Sequence, residues 1–153
     1  SVGEGTRWVE AQRGGEAFIQ AAQAEKALSE AERAALIRSR KELTTACQGK
    51  EAASGASKAY VAGADASAAA REFAAYLAGA ESFYGGAFDA ALAAFRSLAK
   101  AQNAWLRESA RYMIARTLLN KASVGAFAEL DGVPEPKVSD RPSLNAAESE
   151  FQS

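Results

Sequence analysis

The chain has 153 residues, of which 48% are hydrophobic and 8% aromatic, with 18 basic and 19 acidic side chains. This nearly balanced charge gives no reason to expect nucleic acid as a partner, and no apolar run is long enough to span a membrane. With one cysteine and no histidine, the sequence excludes an internal disulfide, the usual zinc sites and any Ser-His-Asp or Cys-His catalytic group.

The apolar residues recur at helical spacing along nearly the whole chain, and no stretch is typical of a strand. A first helix is predicted from Glu16 to Ala27. Gly14 and Gly15 are expected to interrupt the helical structure before it. The sequence SEAE at residues 29–32 has the form of a capping box, in which a serine and a glutamate satisfy each other's exposed amides. It predicts the start of a second helix that ends near Cys47.

A Gly/Ser/Ala-rich loop at residues 48–58 separates these helices from a third, which is predicted from about Ser67 to Phe83. Gly85 and Gly86 are expected to end the third helix, because glycine adopts the left-handed conformation of a helix C-terminus at little cost. The apolar spacing of the next segment predicts a fourth helix from about Ala87 to Ala101.

A fifth helix contains Trp105 to Ala122 and is expected to continue to Leu130. Residues 131–142 hold all three prolines and predict an irregular loop before a short last helix. Because that helix stops at Ser153 without a terminating signal, we expect residues 1–153 to form one helical domain within a longer protein.

The segment from Tyr76 to Lys100 resembles a tetratricopeptide repeat, a family of stacked antiparallel helical hairpins. Gly79 occupies the small-residue position of the first helix, and Gly86 lies at the turn. The aromatic, small and aromatic positions of the second helix are filled by Phe88, Ala91 and Phe95. The sequence departs from the family pattern at Ala75, Ser82 and Asn103.

A second, degenerate copy would begin near Trp105, with the last helix as its second half. The resemblance implies a right-handed stack whose concave face binds peptide segments. The residues alone indicate paired amphipathic helices that must stack to cover their apolar faces. The predicted class is therefore all-α, with stacked hairpins as one architecture and an irregular bundle of five or six helices as the alternative.

Few residues suggest catalysis. Ser97 and Lys100 have the spacing of a serine–lysine nucleophile, but so short a match is common by chance. The acidic pairs Glu30/Glu32 and Glu148/Glu150 lie two residues apart on helices, so the members of each pair point to different faces. We expect no enzyme activity from this chain and no cofactor.

The fifth helix carries four cations among large apolar residues, and two interpretations remain open. In the first, the arginines extend between neighbouring helices and are solvated at their ends. In the second, a concave surface presents arginine and tyrosine side chains to an acidic or C-terminal peptide segment. The candidate partner-binding residues are Tyr84, Arg107, Arg111, Tyr112, Arg116 and Asn120.

The predicted function is a non-enzymatic module for protein–protein interaction or scaffolding, within a larger bacterial protein. The alternative is a structural domain that packs on its own parent chain and has no ligand. An unfinished helix at the open end of a stack also favours self-association as a homodimer. The sequence fixes no compartment. We expect a soluble protein. The chain begins at Ser1 without an initiator methionine, and removal of an export signal would explain this and would fit the bacterial periplasm or cell envelope. Cloning explains the missing methionine equally well.

Overall fold

The computed structural model describes residues 2–48 and 60–130, with the side chains of residues 13–45 and 60–125. This part of the chain is helical and contains no strand, which confirms the all-α class. The helices are α1 (Val2–Ala24), α2 (Glu30–Gln48), α3 (Ala68–Tyr84), α4 (Phe88–Arg96) and α5 (Ala104–Leu130). The predicted proline-containing loop, the last helix and nearly all of the loop at residues 48–58 lie outside the described residues.

Helix α1 runs without interruption through Gly14 and Gly15, so the prediction of a helix starting at Glu16 was wrong. Each glycine in a helix lowers its stability by about 1 kcal/mol relative to alanine. Here the glycines leave room for α2 to pack closely on α1. A Cβ atom on Gly15 would lie 3.0 Å from Thr44 Oγ1 and 3.2 Å from Arg40 Cζ. The glycine pair is therefore a packing surface and not a helix break.

Helix α1 ends at Ala24, three residues before the predicted end, and Arg33 of α2 binds carbonyl groups in its last turn and in the turn that follows. Arg33 Nε donates to Ala22 O at 3.0 Å, and Nη2 donates to Glu25 O at 2.7 Å and to Leu28 O at 3.2 Å. A cation at a helix C-terminus also interacts favourably with the helix dipole. One side chain thus fixes the turn between α1 and α2.

The predicted capping box at the start of α2 is present and extends to the next hairpin. Ser29 N donates to Glu32 Oε1 at 2.9 Å, and Glu32 N donates to Ser29 Oγ at 3.1 Å. The same carboxylate accepts from Ser67 N at 2.9 Å and from Ser67 Oγ at 2.8 Å. Ser67 in turn caps α3 by accepting from Ala70 N at 3.0 Å. Glu32 therefore joins the starts of two helices.

Helices α3 and α4 form the hairpin predicted from the sequence, with Gly86 at a φ of 82° in the turn. Gly79 lies against Phe95, since a Cβ atom there would come within 2.6 Å of the phenyl ring. The fourth helix is shorter than predicted and ends at Arg96. After Arg96 the chain forms tight turns, in one of which Leu98 N donates to Phe95 O at 3.0 Å. The Leu98 side chain is buried in the core.

Helix α5 begins where Asn103 accepts from Leu106 N at 2.9 Å and continues to Leu130, as predicted. Asn103 also donates its side-chain amide to Glu25 Oε1 at 2.9 Å, and its backbone amide to Glu72 Oε1 at 3.2 Å. Helices that follow each other in the chain pack together, and α3 also packs against α5. The core between them includes Phe18, Leu36, Phe73, Leu77, Phe95, Leu106 and Leu118.

Candidate functional site: a cationic groove between α1, α3 and α5

A groove of about 380 Å³ lies between α1, α3 and α5, and one side chain of α2 reaches into it. It is lined by Arg13, Gly14, Ala17, Arg40, Tyr76, Ala80, Tyr84, Trp105, Ser109, Tyr112, Met113 and Arg116. Among these described residues three are arginine and none is aspartate or glutamate. The described part of the lining therefore carries three basic side chains and no acidic one, on a chain with a net charge of -1.

The lining follows from helical periodicity. Tyr76, Ala80 and Tyr84 are four residues apart on one face of α3. On α5 the lining side chains recur every three or four residues, at Trp105, Ser109, Tyr112 and Arg116. The buried face of α5 is formed by Ala110, Met113, Ile114, Thr117 and Leu118. The stripe of α5 next to that buried face is thus the one that borders the groove.

Arg40 is, with Arg13, a lining cation that sequence reasoning missed. It is only 2% exposed, and its Nη1 donates to Thr44 Oγ1 at 2.8 Å. Its guanidinium lies against the glycine pair of α1, with Nη2 3.5 Å from the position of a Cβ atom on Gly14. The one sequence signal was a pair of glycines in a segment otherwise suited to a helix, because glycines there permit a large side chain to approach.

Arg116 contributes the second inner cation. Its Cζ atom lies 5.3 Å from the centroid of the Phe83 ring, within the range of a cation–π interaction. The Phe83 ring also contacts Tyr84 edge-on, with centroids 5.3 Å apart. Arg116 is half-buried, and its guanidinium lies over the Phe83 ring at the border of the groove.

The aromatic floor of the groove belongs to the core. The rings of Tyr76 and Trp105 lie 5.2 Å apart, and Phe18 contacts both, at 6.0 Å and 6.1 Å respectively. Burial raises the pKa of Tyr76, while the charges of Arg40 and Arg116 act in the opposite direction. Tyr76 and the two arginines thus line the same groove.

Three of the six predicted partner-binding residues, Tyr84, Tyr112 and Arg116, line this groove. Tyr112 is 53% exposed at its rim. Arg107, Arg111 and Asn120 are not among the lining residues; Arg107 Nη1 instead donates to Ala101 O at 2.7 Å. The structure thus brings together half of the predicted set and adds Arg13 and Arg40.

The described residues hold no group of three or more histidine, cysteine, aspartate or glutamate side chains placed to bind a metal ion. Ser97 and Lys100 are exposed and lie outside the groove, and Ser97 Oγ donates to Ala94 O at 2.6 Å.

Within residues 2–48 and 60–130, none of the helices has the length and apolar character needed to cross a membrane. The chain matches no protein-family model, no curated protein and no solved structure.

Proposed function

We propose that this chain is a non-enzymatic helical module for protein–protein interaction, and that its cationic groove binds an acidic segment of a partner protein. The observation that carries the proposal is the composition of the groove, where three arginines and three tyrosines border one concave surface. Tyrosine and arginine are among the residue types that most often anchor protein interfaces. Concave surfaces of this kind are also where stacked helical hairpins bind their ligands.

Electrostatics supports an acidic partner. The arginine side chains of the groove can form charge-assisted and bidentate hydrogen bonds with carboxylates, which are stronger than neutral hydrogen bonds. A local positive potential on a chain of balanced charge also steers acidic segments to this surface. The exposed Arg13 and Tyr112 at the rim provide the first contacts.

The order of the helices is compatible with the resemblance to a tetratricopeptide repeat. The groove is bordered by α1, α3 and α5, which are alternate helices in the chain, and α4 contributes no lining residue. In a stack of hairpins, alternate helices form the concave face. The close contact of Gly79 with Phe95 is the kind of small-to-aromatic packing by which two antiparallel helices approach.

The proposal is tested by selecting peptides from a phage-displayed random library against the immobilised protein. The selected peptides are expected to be enriched in aspartate and glutamate relative to the library. Their affinity for Arg116→Met should fall roughly tenfold or more, as expected when a hydrogen bond to a charged group is lost.

The matched control is Arg111→Met, which removes the same charge from the same helix at an exposed position outside the groove. Its affinity for the selected peptides should stay within about twofold of the wild type, because rim and surface charges contribute little. Equal losses in both variants, or selection without acidic enrichment, would contradict the proposal.

The second candidate function is a structural domain that packs on its parent chain. It is favoured by the exposed apolar side chains along α5, where Val124 is 59% and Leu119 is 36% exposed. Those residues lie one to two turns beyond the groove residue Arg116. If this function is the right one, peptide selection should yield apolar sequences that are insensitive to Arg116→Met and sensitive to Val124→Asp.

A further inference from the structure

We propose that the groove binds one aromatic side chain of the acidic partner segment, in a notch lined by the small residues Ala17, Ala80 and Ser109. The inference rests on the proposed function and adds to it the residue type that anchors the segment. It depends on the shape and the apolar lining of the groove, and it requires no hydrogen bond from an arginine.

The notch arises because three helices each contribute a small side chain to the lining. Ala17 comes from α1, Ala80 from α3 and Ser109 from α5. On α3, Tyr76 lies one turn before Ala80, and on α5, Trp105 lies one turn before Ser109. Residues four apart are neighbours on a helix surface, so each of these two small residues leaves space directly beside an aromatic side chain.

The space beside Gly14, the fourth small residue of the lining, is already filled. The Tyr84 hydroxyl lies 3.9 Å and Arg40 Nη2 lies 3.5 Å from the position of a Cβ atom on Gly14. Tyr84 and Arg40 therefore form a wall of the groove here. A side chain that enters the groove is directed to the notch and not to the glycine.

The floor of the notch favours an apolar side chain. Tyr76 and Met113 are each 7% exposed, and Ala80 is 4% exposed. A polar or charged group placed on these residues would leave water without gaining hydrogen bonds from them, which is unfavourable. The anchor of the partner segment is therefore expected to be apolar, with its acidic residues on either side.

The rings at the notch favour an aromatic anchor over an aliphatic one. Trp105 is half-buried and packs on the core, with its ring 5.2 Å from that of Tyr76 and 6.1 Å from that of Phe18. It also borders the groove, so an entering ring can add an offset or edge-on contact to this cluster. The sulfur of Met113 on the same floor makes favourable contacts with aromatic rings too.

The size of the groove suits a side chain. Its volume of about 380 Å³ is near the lower end of the roughly 300–1,000 Å³ range of small-molecule sites, which is room for one or two side chains and not for a folded element. Aromatic anchors present a large contact area with few rotatable bonds. The exposed Arg13 at the rim favours an acidic residue next to the anchor in the partner's sequence.

Two phage-displayed libraries test the inference, one with all residue types and one without phenylalanine, tyrosine and tryptophan. Acidic peptides selected from the first library are expected to share one aromatic residue. They should bind at least about tenfold more tightly than peptides from the second library, as expected for an interface anchor. Replacing the shared aromatic residue by alanine should remove this advantage, which fluorescence anisotropy of the labelled peptides measures.

Variants of the protein locate the anchor. Ser109→Leu fills the notch and leaves every arginine in place. It should weaken the aromatic peptide roughly tenfold or more, and the alanine version of that peptide by less than about twofold, because both changes remove the same contact. Ala17→Leu fills the notch from α1 and gives the same comparison if Ser109→Leu does not fold.

The matched control is Ser123→Leu, which makes the same change on the same helix at an exposed position outside the groove. It should leave both affinities unchanged. Acidic peptides without a shared aromatic residue, or equal losses of the two peptides in Ser109→Leu, would overturn the inference and leave the acidic partner segment standing. Failure of the proposed function is seen separately, as selection without acidic enrichment or as equal losses in Arg116→Met and Arg111→Met.

Discussion

At the residue scale, Gly79 shows how one missing side chain sets the distance between two helices. It is buried on α3, and the position of its absent Cβ lies between 2.6 Å and 2.9 Å from three atoms of the Phe95 ring. Phe95 is itself fully buried, so the ring has no solvent-filled space to move into. The α3–α4 hairpin therefore depends on glycine at this position.

Gly79→Ala is expected to destabilise the protein by about 1–2 kcal/mol, because overpacking of a filled core outweighs the gain in helix propensity. Chemical denaturation measures this change. The control is Gly63→Ala, where no atom lies within 4 Å of the added methyl group, and its stability should match the wild type within about 0.5 kcal/mol. If Gly79→Ala were as stable as the control, the close packing of α3 on α4 would be wrong.

Glu32 is the second residue on which the architecture depends. It lies half-buried between the starts of α2 and α3 and accepts hydrogen bonds from both Ser29 and Ser67. These bonds, led by the one from the Ser29 backbone amide, lower the pKa of Glu32 to about 2. A carboxyl group whose pKa falls on folding stabilises the protein above its unfolded pKa of 4.5 and loses that effect as the pH falls.

We therefore expect Glu32→Gln to lower the melting temperature at pH 7, and the difference from the wild type to shrink between pH 4.5 and about 2. Thermal unfolding across this range, followed by circular dichroism, gives the measurement. Glu30→Gln is the control, because Glu30 is exposed in the first turn of the same helix. A Glu32→Gln deficit that stayed constant down to pH 2 would show that packing, and not the charge, is responsible.

At the element scale, the glycine pair of α1 separates what the sequence could predict from what it could not. Local propensity correctly predicted the capping box of α2, the start of α3 near Ser67 and the end of α3 at Gly85-Gly86. All of these depend on residues close together in the chain. The helix through Gly14 and Gly15 depends on Arg40 and Thr44 of another helix, so propensity alone predicted a break.

The two glycines of α1 should respond differently to substitution. Gly14→Ala adds a methyl group 3.5 Å from Arg40 Nη2, an ordinary contact, so the gain in helix propensity should stabilise the protein by about 0.5–1 kcal/mol. Gly15→Ala places the methyl group 3.0 Å from Thr44 Oγ1, and it should be less stable than Gly14→Ala. Denaturation of the two variants side by side makes the comparison.

If both glycine variants were equally stabilised, α2 would not pack as closely on α1 as the structure has it. If both variants gained helicity, the glycine pair would break the helix in the wild type, and α1 would begin at Glu16 as the sequence alone predicts.

The candidate site was predictable in part for the same reason. The stripe of Trp105, Ser109, Tyr112 and Arg116 follows from the period of α5 alone, as does the apolar face beside it. Which cations share a surface depends on the helices packed around α5. From the sequence, Arg107 and Arg111 were therefore as good candidates for the site as Arg116. Nothing in the sequence indicated Arg40, which lies on a different helix.

At the scale of the whole molecule, the contacts among the helices are compatible with a stack of hairpins. Each helix packs on its neighbours in the chain, and α3 is in the middle, in contact with both α4 and α5. The groove then lies over α3, with α1 on one side and α5 on the other. The tetratricopeptide-like arrangement stays a proposal, and it leads to one expectation about where a ligand binds.

The central claim is that this groove is the binding surface of the protein. The most direct test is to add an acidic peptide selected against the protein to an isotope-labelled sample, and to map the amide chemical shifts. The account predicts changes at groove positions of α1, α3 and α5, such as Ala17, Ala80 and Ser109, with little change on the exposed face of α4. Changes centred on Leu119 to Val124 or on α4, with the groove unaffected, would contradict it.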